Sequence, residues 1–315
     1  MALIEARGLS KSYGSTRAVN DLSFDVVPGS VTGFLGPNGA GKSTTIRLML
    51  GLDRGAGSTT YDGKPFHALA HPMRQVGTLL EAKAFHPTRS ARNHLRMLAA
   101  PSGVSGKRVD EVLEFVGLGS VASKKPKSFS LGMGQRLGLA AALLGEPDTL
   151  LLDEPANGLD PAGINWLRAF LKDFAGTGRS VFVSSHLLAE MSLMADHLVV
   201  VGRGSLRFSG LVSDFVKQAG GTAVIVRGPD LAPLAGVLST RPGVHVERRD
   251  ADALAITGVA QAEVGDVAFA HGVVLHELLT QTASLEEAFL ELTGGAEEFH
   301  GGTQASLASG SAADS

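Results

Sequence analysis

The pattern of apolar and polar positions in the N-terminal part of the chain predicts strands followed by a helix. Apolar and polar residues alternate in LIEARGLSKSY and in VNDLSFDVV, which predicts two half-exposed strands, and VTGFLG, after the turn residues PGS, predicts a third. A helix is predicted next, because Ile46, Leu48, Met49 and Leu50 give the segment an apolar side and Gly51 ends it.

The middle of the chain has two further patterns. Residues 83–145 are predicted to be mostly helical, in the segments SARNHLRMLAA and KRVDEVLEFVGL and after Phe129. The short continuous apolar runs in TLLLDEP and SVFVSSH have helical sequence between them, which is typical of buried parallel strands. The predicted fold class is therefore α/β, with a domain at residues 1–215 that contains a helical subdomain at about 83–145.

Composition changes after about Gly210, where short strand-like pieces such as TAVIVRG and GVHVERR alternate with glycine and proline turns. A final helix is predicted at Ser284–Leu292, because Ser284 and Glu287 form a capping box. We therefore expect a small α+β accessory domain at residues 216–295. Residues 296–315 have too few apolar side chains to build a core, so a disordered tail is expected there.

The overall composition narrows the class of protein. The 44% of hydrophobic residues is enough to bury a core, and a net charge of −3 without a basic stripe disfavours nucleic-acid binding. The lysines at 124, 125 and 127 are interpreted as a solvated loop. No cysteine, signal pattern or apolar run of roughly 18 residues is found, which fits a cytosolic or cytosol-facing protein. If the protein works at a membrane, we expect another chain to cross it.

The segment GPNGAGKS matches the phosphate-binding pattern G-x-x-x-x-G-K-S/T at every fixed position. It lies between a predicted strand and a predicted helix, where backbone N–H groups and the helix N-terminus favour an anion. Lys42 is expected to reach the β- and γ-phosphates of a nucleotide, and Ser43 is expected to ligate Mg²⁺. The predicted nucleotide-binding residues of this loop are Gly36, Pro37, Asn38, Gly39, Ala40, Gly41, Lys42, Ser43 and Thr44.

Two carboxylates end the apolar run LLLDEP. Asp153 is expected to hold the Mg²⁺ through a water molecule, as the acidic partner does in other enzymes with this loop. Glu154, at the carboxyl end of the predicted strand, is placed to polarise an attacking water, so we predict it to be the catalytic base. A solvated pair at a strand end is the alternative, and the upstream phosphate loop favours the catalytic interpretation.

With these motifs in this order, residues 3–215 resemble the nucleotide-binding subunit of an ABC transporter. The family carries a signature, L-S-G-G-Q followed by Q-R, in the helical segment. Aligned on Gln135 and Arg136, this chain keeps Ser130 and Gly132. Leu131 and Met133 replace the other glycine and the glutamine, a form that resembles a drug- and bacteriocin-exporter branch. The resemblance implies that Ser130 and Gly132 bind ATP held by a second subunit. Ser130 alone is more typical of a helix cap, and the context of the other motifs favours ATP binding.

Further positions match the family pattern one by one. Tyr13 resembles the aromatic residue that stacks on adenine, and Asp160 in NGLDP resembles the carboxylate of the loop that meets the partner subunit. His186, after SVFVSS, resembles the histidine that contacts the γ-phosphate and supports catalysis. The family also has a glutamine about 40 residues after the lysine that meets Mg²⁺ and couples to the membrane subunit. Glu81 is the nearest candidate here, and it is predicted as a Mg²⁺ ligand.

The resemblance implies a P-loop cassette with a RecA-like core, an antiparallel β subdomain and an inserted helical subdomain, followed by the accessory domain. It implies an ATP hydrolase with ATP and Mg²⁺ as cofactors, bound to the cytoplasmic face of the membrane as a peripheral subunit. The expected partners are a polytopic permease and a second copy of the chain. Two alternatives are a non-transport ATPase of the same type, acting on a partner such as the ribosome, and a small P-loop kinase.

Overall fold

The structure of the chain is a computed structural model that describes residues 3–81, 84–86, 88–218, 222–282 and 289. Within these residues, no helix combines the length and the apolar character needed to cross a membrane. The helix expected at Ser284–Leu292 and the tail expected at 296–315 lie outside the described residues, apart from Phe289.

Thirteen strands form three sheets in the described part of the chain. In chain order they are β1 (Ile4–Tyr13), β2 (Thr16–Val26), β3 (Val31–Leu35), β4 (Ala56–Tyr61), β5 (Val76–Leu79), β6 (Thr149–Leu152), β7 (Ser180–Ser185), β8 (His197–Gly202), β9 (Ser205–Leu211), β10 (Thr222–Arg227), β11 (His245–Asp250), β12 (Ala253–Thr257) and β13 (Glu277–Thr282).

Ten α-helices are found in the same residues, with short 3₁₀ turns among them. They are α1 (Lys42–Met49), α2 (Pro72–Gln75), α3 (Ala91–Ala99), α4 (Gly106–Phe115), α5 (Leu131–Leu143), α6 (Pro161–Gly176), α7 (Leu188–Met194), α8 (Val212–Gln218), α9 (Ala232–Ser239) and α10 (Gln261–Ala270).

The central sheet has six strands in the order β5-β6-β7-β3-β8-β9. The first five run parallel, and β9 pairs antiparallel with β8 at one edge. Every residue of β3, β6 and β7 is buried, which explains why these strands have continuous apolar runs in the sequence. The carboxyl ends of the parallel strands lie along one edge, so the loops that follow β3, β6 and β7 meet there.

The two faces of the central sheet are covered by different layers. Leu150 and Leu152 of β6 pack into the cluster that includes α3 to α7, whereas Leu151 points to the other face. There it meets the antiparallel sheet β2-β1-β4 and helix α1. Phe24, Phe34 and Phe182 stack between the two sheets with ring centroids 5.0 to 5.8 Å apart. The predicted α/β core, antiparallel subdomain and helical segment are therefore confirmed.

Residues 222–282 form a separate sheet with the order β11-β12-β10-β13, in which all neighbouring strands are antiparallel. The element order is β-α-β-β-α-β, and residues such as Val224, Leu254 and Ile256 pack in a cluster of their own with α9 and α10. The expected α+β appendage is confirmed. Beyond it, the side chain of Phe289 packs against the cluster on the helical side of the central sheet.

Candidate functional site

Three loops at the carboxyl edge of the central sheet, together with Tyr13 of β1 and Ala18 of β2, line a cavity of about 460 Å³. The loops follow β3, β6 and β7, which places distant parts of the sequence side by side. The residues that line this cavity are Tyr13, Ala18, Asn38, Gly39, Gly41, Lys42, Ser43, Thr44, Glu154, Asn157 and His186. Most of the residues that the sequence predicts for nucleotide binding therefore lie together.

The glycine loop bends tightly before α1 begins at Lys42. Gly41 has a φ of 97°, and a Cβ at this position would clash with the carbonyl oxygen of Ala18, so only glycine fits. The loop and the first turn of α1 therefore direct backbone N–H groups toward the cavity. Lys42 is only 6% exposed, and its Nζ donates to the carbonyl oxygens of Gly36 at 2.8 Å and Pro37 at 3.2 Å.

Lys42, Glu154 and His186 form a chain of charged and polar contacts across the cavity. Lys42 Nζ lies 3.2 Å from Glu154 Oε1, and His186 Nδ1 lies 2.8 Å from Glu154 Oε2. Since a carboxylate only accepts, His186 donates from Nδ1, which leaves its Nε2 as the other polar atom of the ring. The predicted base and the predicted histidine are thus held next to each other, beside the lysine of the glycine loop.

Ser184 links the two carboxylates that follow β6. It is fully buried in β7, its Oγ accepts from the backbone N–H of Glu154 at 2.9 Å, and it donates to Asp153 Oδ1 at 2.5 Å. Asp153 is itself only 8% exposed. Glu154 has a φ of 48°, a left-handed conformation that is uncommon for a residue with a side chain. Strain of this kind is typical of active sites, where the surrounding contacts maintain it.

Glu190 of α7 is a titratable group close to this chain of contacts. Its Oε2 is buried and makes no hydrogen bond with any residue that the structure describes. Burial raises the pKa of the Glu190 carboxyl above its usual value of 4.5, although the charge of His186 opposes this shift. The sequence analysis did not single out Glu190, because a glutamate in a helix has no distinguishing local pattern.

Tyr13 lies at the edge of the cavity with half of its side chain exposed. Its hydroxyl donates to Asp53 Oδ2 at 2.9 Å, and Lys11 Nζ lies 4.9 Å from the centre of its ring. Asp53 also forms two hydrogen bonds with Arg47, at 3.0 and 3.1 Å, which hold the pKa of its carboxyl below the usual value. The ring of Tyr13 is therefore anchored at its hydroxyl end, which suits a stacking platform.

Ser130 and Asp160 are helix caps that do not line the cavity of their own chain. Ser130 caps α5 by accepting from the N–H of Met133 at 3.2 Å, and Asp160 caps α6 by accepting from the N–H of Gly163 at 2.9 Å. Gly132 is buried beside Ser130 in the first turn of α5. Within one chain, these three predicted nucleotide-binding residues are separated from the phosphate loop.

Glu81 lies outside the phosphate cavity as well. It is exposed and lines another cavity, of about 340 Å³, with residues such as Arg47, Phe85 and His94. Burial lowers the pKa of His94, whose Nδ1 has no hydrogen-bond partner among the described residues. The carbonyl oxygen of Leu79, two residues before Glu81, accepts from the N–H of Asp153 at 2.7 Å, so the backbone that leads to Glu81 lies beside Asp153. The role of Glu81 as a Mg²⁺ ligand stays a prediction.

The residues that line the cavity of about 460 Å³ fit a nucleoside triphosphate with Mg²⁺. A lysine, a helix N-terminus and consecutive backbone amides offer donors to phosphate oxygens. Among the described residues, no group of three or more histidines, cysteines, aspartates or glutamates forms a metal site. Mg²⁺ is usually bound through one or two carboxylates together with substrate phosphates and water. Ser43 lines the cavity and Asp153 directly precedes Glu154, so both stay candidates for the hydroxyl and carboxylate ligands of Mg²⁺.

Comparisons with known proteins agree with this geometry. The family model described as ABC transporter matches residues 19–157, and a model described as a domain of unknown function matches residues 222–286. An uncharacterised ABC transporter ATP-binding protein of Bacillus subtilis, YhcH, is 36% identical over 311 residues, which cover 94% of this chain and 97% of that protein.

A relative and a solved structure extend the comparison. The Nod factor export ATP-binding protein I of Cupriavidus pinatubonensis is 34% identical over 300 residues, which cover 93% of this chain and 91% of that protein. The structure of an ATP-binding subunit of an ABC transporter is 29% identical, with a TM-score of 0.63, and covers 69% of this chain and 93% of that one. The chain belongs to the ATP-binding proteins of ABC transporters, and it is an ATP-hydrolysing subunit of that family.

Proposed function

We propose that this chain binds and hydrolyses MgATP between two copies of itself and so drives export through a separate polytopic membrane permease. The observation that carries the proposal is the position of Glu154, which contacts both Lys42 and His186 at the edge of the phosphate cavity. Export as the direction is supported by the Nod factor export relative, which matches this chain over nearly its whole length.

The phosphate loop binds the phosphates of ATP and contributes to binding of the metal ion. Its backbone amides and Lys42 hold the β- and γ-phosphates, while Ser43 and Asp153 hold Mg²⁺. The metal ion, when bound, neutralises charge on the phosphate oxygens. To reach a γ-phosphate, Lys42 must exchange its contact with the Glu154 carboxylate for contacts with phosphate oxygens. That exchange frees Glu154 Oε1 to accept a proton from the attacking water.

The catalytic base is then Glu154, and His186 supports it. His186 donates to Glu154 Oε2, which fixes the orientation of the carboxylate and leaves Oε1 for the water. Nε2 of His186 is the other polar atom of the ring, and we assign it to the γ-phosphate. Because phosphate oxygens only accept, Nε2 must donate there, so this assignment requires a ring that carries a proton on both nitrogens. Ser184 keeps the peptide of Glu154 in its left-handed conformation while also orienting Asp153.

The other predicted nucleotide-binding residues would contact the adenine and the side of the nucleotide that faces the partner subunit. Tyr13 stacks on the adenine, because its ring is exposed at the rim of the cavity and is held by Asp53. Ser130, Gly132 and Asp160 lie away from the cavity of their own chain. A head-to-tail pair of chains would place them over the nucleotide of the partner, and such a symmetric pair has two equivalent sites.

The division of the chain follows from the same proposal. Residues 1–215 are the ATP-binding domain, with the helical subdomain at about 83–145, and residues 216–295 are an accessory domain that regulates or supports the dimer. The subunit would be held at the cytoplasmic face of the membrane by its permease. The cargo is then selected by the permease, whose residues contact it.

Hydrolysis is tested with the purified chain by measuring phosphate release from ATP with and without Mg²⁺. We expect Mg²⁺-dependent turnover, and a loss of at least about 100-fold in Lys42→Ala, because the buried ammonium that meets the phosphates is removed. Lys64→Ala is the matched control, since Lys64 is exposed in the turn after β4 and lies outside the cavity. Equal activity in the wild type and Lys42→Ala would refute the proposed site.

A transporter subunit and a non-transport ATPase are distinguished by the partner that is recovered together with the chain. Affinity purification from membranes in mild detergent should recover a polytopic membrane protein in equal amount if the chain is a transporter subunit. Co-sedimentation with ribosomes, and no membrane protein, would instead support a non-transport ATPase of the same family.

A further inference from the structure

Helix α5 carries the signature residue Gly132 and packs directly on the loop that follows β6 in its own chain. This loop contains Glu154 and Gly158. Gly132, in the first turn of α5, lies so close to the loop that a Cβ there would be 2.6 Å from the carbonyl oxygen of Gly158. One turn further along α5, Gln135 is 5% exposed and its Nε2 donates to the carbonyl oxygen of Glu154 at 3.0 Å. Because a carbonyl only accepts, the amide nitrogen must face it.

Gln135 is one of three groups that hold the peptide units around Glu154. The N–H of Glu154 donates to Ser184 Oγ, and its carbonyl oxygen accepts from the N–H of Asn157 at 3.2 Å as well as from Gln135. Between these bonds the backbone has the left-handed φ of 48°. The direction of the Glu154 side chain depends on this conformation, which is costly without its supports.

The side-chain amide of Gln135 forms a hydrogen bond through its nitrogen and none through its oxygen among the described residues. Its Oε1 is buried and has no hydrogen-bond partner among the described residues. A buried acceptor without a partner costs free energy, so a glutamine is a poor choice if the position serves only to pack α5. An apolar side chain of the same length would fill the space without that cost.

We propose that Gln135 is a positioning residue for the catalytic base, and that it connects the two ATP sites of the dimer. This inference rests on the proposed function, in which the N-terminus of α5 meets the nucleotide of the partner. Ser130 at the N-terminus of α5 and Gln135 within the same helix then contribute to different ATP sites of the dimer. Ser130 acts on the partner's ATP, whereas Gln135 acts on Glu154 and so on the ATP of its own chain.

The first test is the variant Gln135→Met, which keeps the length of the side chain and removes both amide atoms. We expect kcat to fall by about 10- to 100-fold, because a displaced base loses its alignment with the water. The KM for ATP should change less than twofold, and the melting temperature should not fall, because the unpartnered oxygen is removed too. A kcat within twofold of wild type, or a fall in melting temperature that accounts for the loss, would overturn the proposal.

The matched control is Gln261→Met. Gln261 lies in the C-terminal sheet domain and makes the same kind of bond, from its Nε2 to the carbonyl oxygen of Leu278 at 3.0 Å. It does not line the ATP cavity, so its loss should leave kcat unchanged. A lower kcat in both variants would indicate a general effect on stability and would count against the role of Gln135.

The second test distinguishes the two sites by mixing variant subunits. Lys42→Ala inactivates the site of its own chain, and Gln135→Met should also damage the site of its own chain. A mixed dimer then has one lesion in each site, so the mixture should be no more active than the average of its parents. If Gln135 acted on the partner's site, both lesions would share one site. About a quarter of all sites would then be intact in an equal mixture, and the activity would rise.

Mixing Lys42→Ala with Ser130→Arg provides the calibration, because activity should recover in that pair. Recovery in both pairs would overturn the assignment of Gln135. If neither pair recovers activity, the proposal is judged on the Gln135→Met homodimer alone. A kcat within twofold of wild type, or a fall in melting temperature that accounts for the loss of activity, would then overturn it. A wild-type chain that does not hydrolyse MgATP at all would instead refute the proposed function, and so the two failures are distinguishable.

Discussion

The ammonium group of Lys42 and the carboxylate of Glu154 form an ion pair of 3.2 Å in the lining of the phosphate cavity. Both side chains are largely buried, at 6% and 19% exposure, so water screens the pair only weakly. A γ-phosphate and the Glu154 carboxylate therefore compete for the same ammonium. Under the proposed function, binding of ATP and release of Glu154 to act as the base are therefore the same event.

Glu154→Gln removes the negative charge of the base while keeping its shape. We expect turnover to fall by about 10²- to 10⁴-fold, because the amide cannot accept a proton from water. ATP should bind at least as tightly as in the wild type, because the neutral amide competes less for Lys42. The variant should then accumulate as a dimer with MgATP, which size-exclusion chromatography and phosphate release measure together.

Glu247→Gln, on an exposed strand of the C-terminal domain, is the control for this prediction. It should hydrolyse ATP at the wild-type rate and should not accumulate as a dimer. A fall in turnover of less than about tenfold in Glu154→Gln would mean that Glu154 is not the base.

Ser184→Ala removes the hydroxyl that joins Asp153 to the backbone of Glu154. The Asp153 carboxylate loses the donor that orients it, and the buried N–H of Glu154 loses its acceptor. We expect kcat to fall about 10- to 100-fold, with a higher Mg²⁺ concentration at half-maximal activity, as is usual when a supporting partner of a metal ligand is lost. A magnesium titration of the ATPase rate measures both effects.

Ser30→Ala is the matched control for Ser184→Ala. Ser30 is also buried and its hydroxyl donates to the carbonyl oxygen of Val27, but it lies before β3, at the opposite end of the sheet from the cavity. Its loss should change the melting temperature without changing the Mg²⁺ dependence. The same Mg²⁺ dependence in Ser184→Ala and in the wild type would contradict the role assigned to Ser184.

The parts of the site that the sequence predicts are those built from consecutive residues. The phosphate loop takes its amides from one stretch, Gly36 to Ser43, and the pair Asp153 and Glu154 follows a strand that its apolar run predicts. Their arrangement depends on local backbone geometry, which a short motif specifies. The parallel strands β3, β6 and β7 were predictable for a similar reason, because full burial produces continuous apolar runs.

The supporting contacts could not be predicted, because they depend on register and packing between distant segments. Ser184 meets Asp153 only because Leu152 of β6 pairs with Val183 of β7, and a polar residue within SVFVSSH was the one available signal. The contact between Gln135 and Glu154 requires α5 to pack on the loop after β6. The prediction for Glu81 came from its place in the family pattern, about 40 residues after Lys42, and it stays a prediction.

Glu190 gives a prediction about the pH dependence of stability. Burial raises the pKa of its carboxyl in the folded chain, so the folded state binds this proton more tightly than the unfolded state does. The protonated form stabilises the fold fully below the usual pKa of 4.5, and this stabilisation is lost as pH rises through the raised pKa. Glu190→Gln should therefore have a higher melting temperature than the wild type at pH 7.

The difference in melting temperature should shrink as the pH is lowered and should vanish below about pH 4, where both states of the wild type are protonated. Thermal unfolding followed by circular dichroism over this range measures it. Glu247→Gln should show no such trend, because Glu247 is exposed. A variant that is less stable than the wild type at pH 7 would show that the charged carboxylate has a stabilising partner.

Ser130 should act on the ATP of the other subunit. Ser130→Arg places a bulky cation where the helix end should meet the γ-phosphate, and Lys42→Ala removes the ammonium that holds the phosphates. Each homodimer has two damaged sites and should be nearly inactive. In a mixed dimer the two lesions fall in the same site, so the second site combines an intact Lys42 with an intact Ser130.

Equal mixing gives mixed pairs in about half of the dimers, so roughly a quarter of all sites are whole and partial ATPase activity should return. A tag pull-down first establishes that the subunits exchange. If mixed dimers form and stay inactive, either Ser130 serves the nucleotide of its own chain or the two sites must hydrolyse together. Near-normal activity of the Ser130→Arg homodimer would remove the signature helix from the mechanism, because the arginine would then lie where no phosphate approaches.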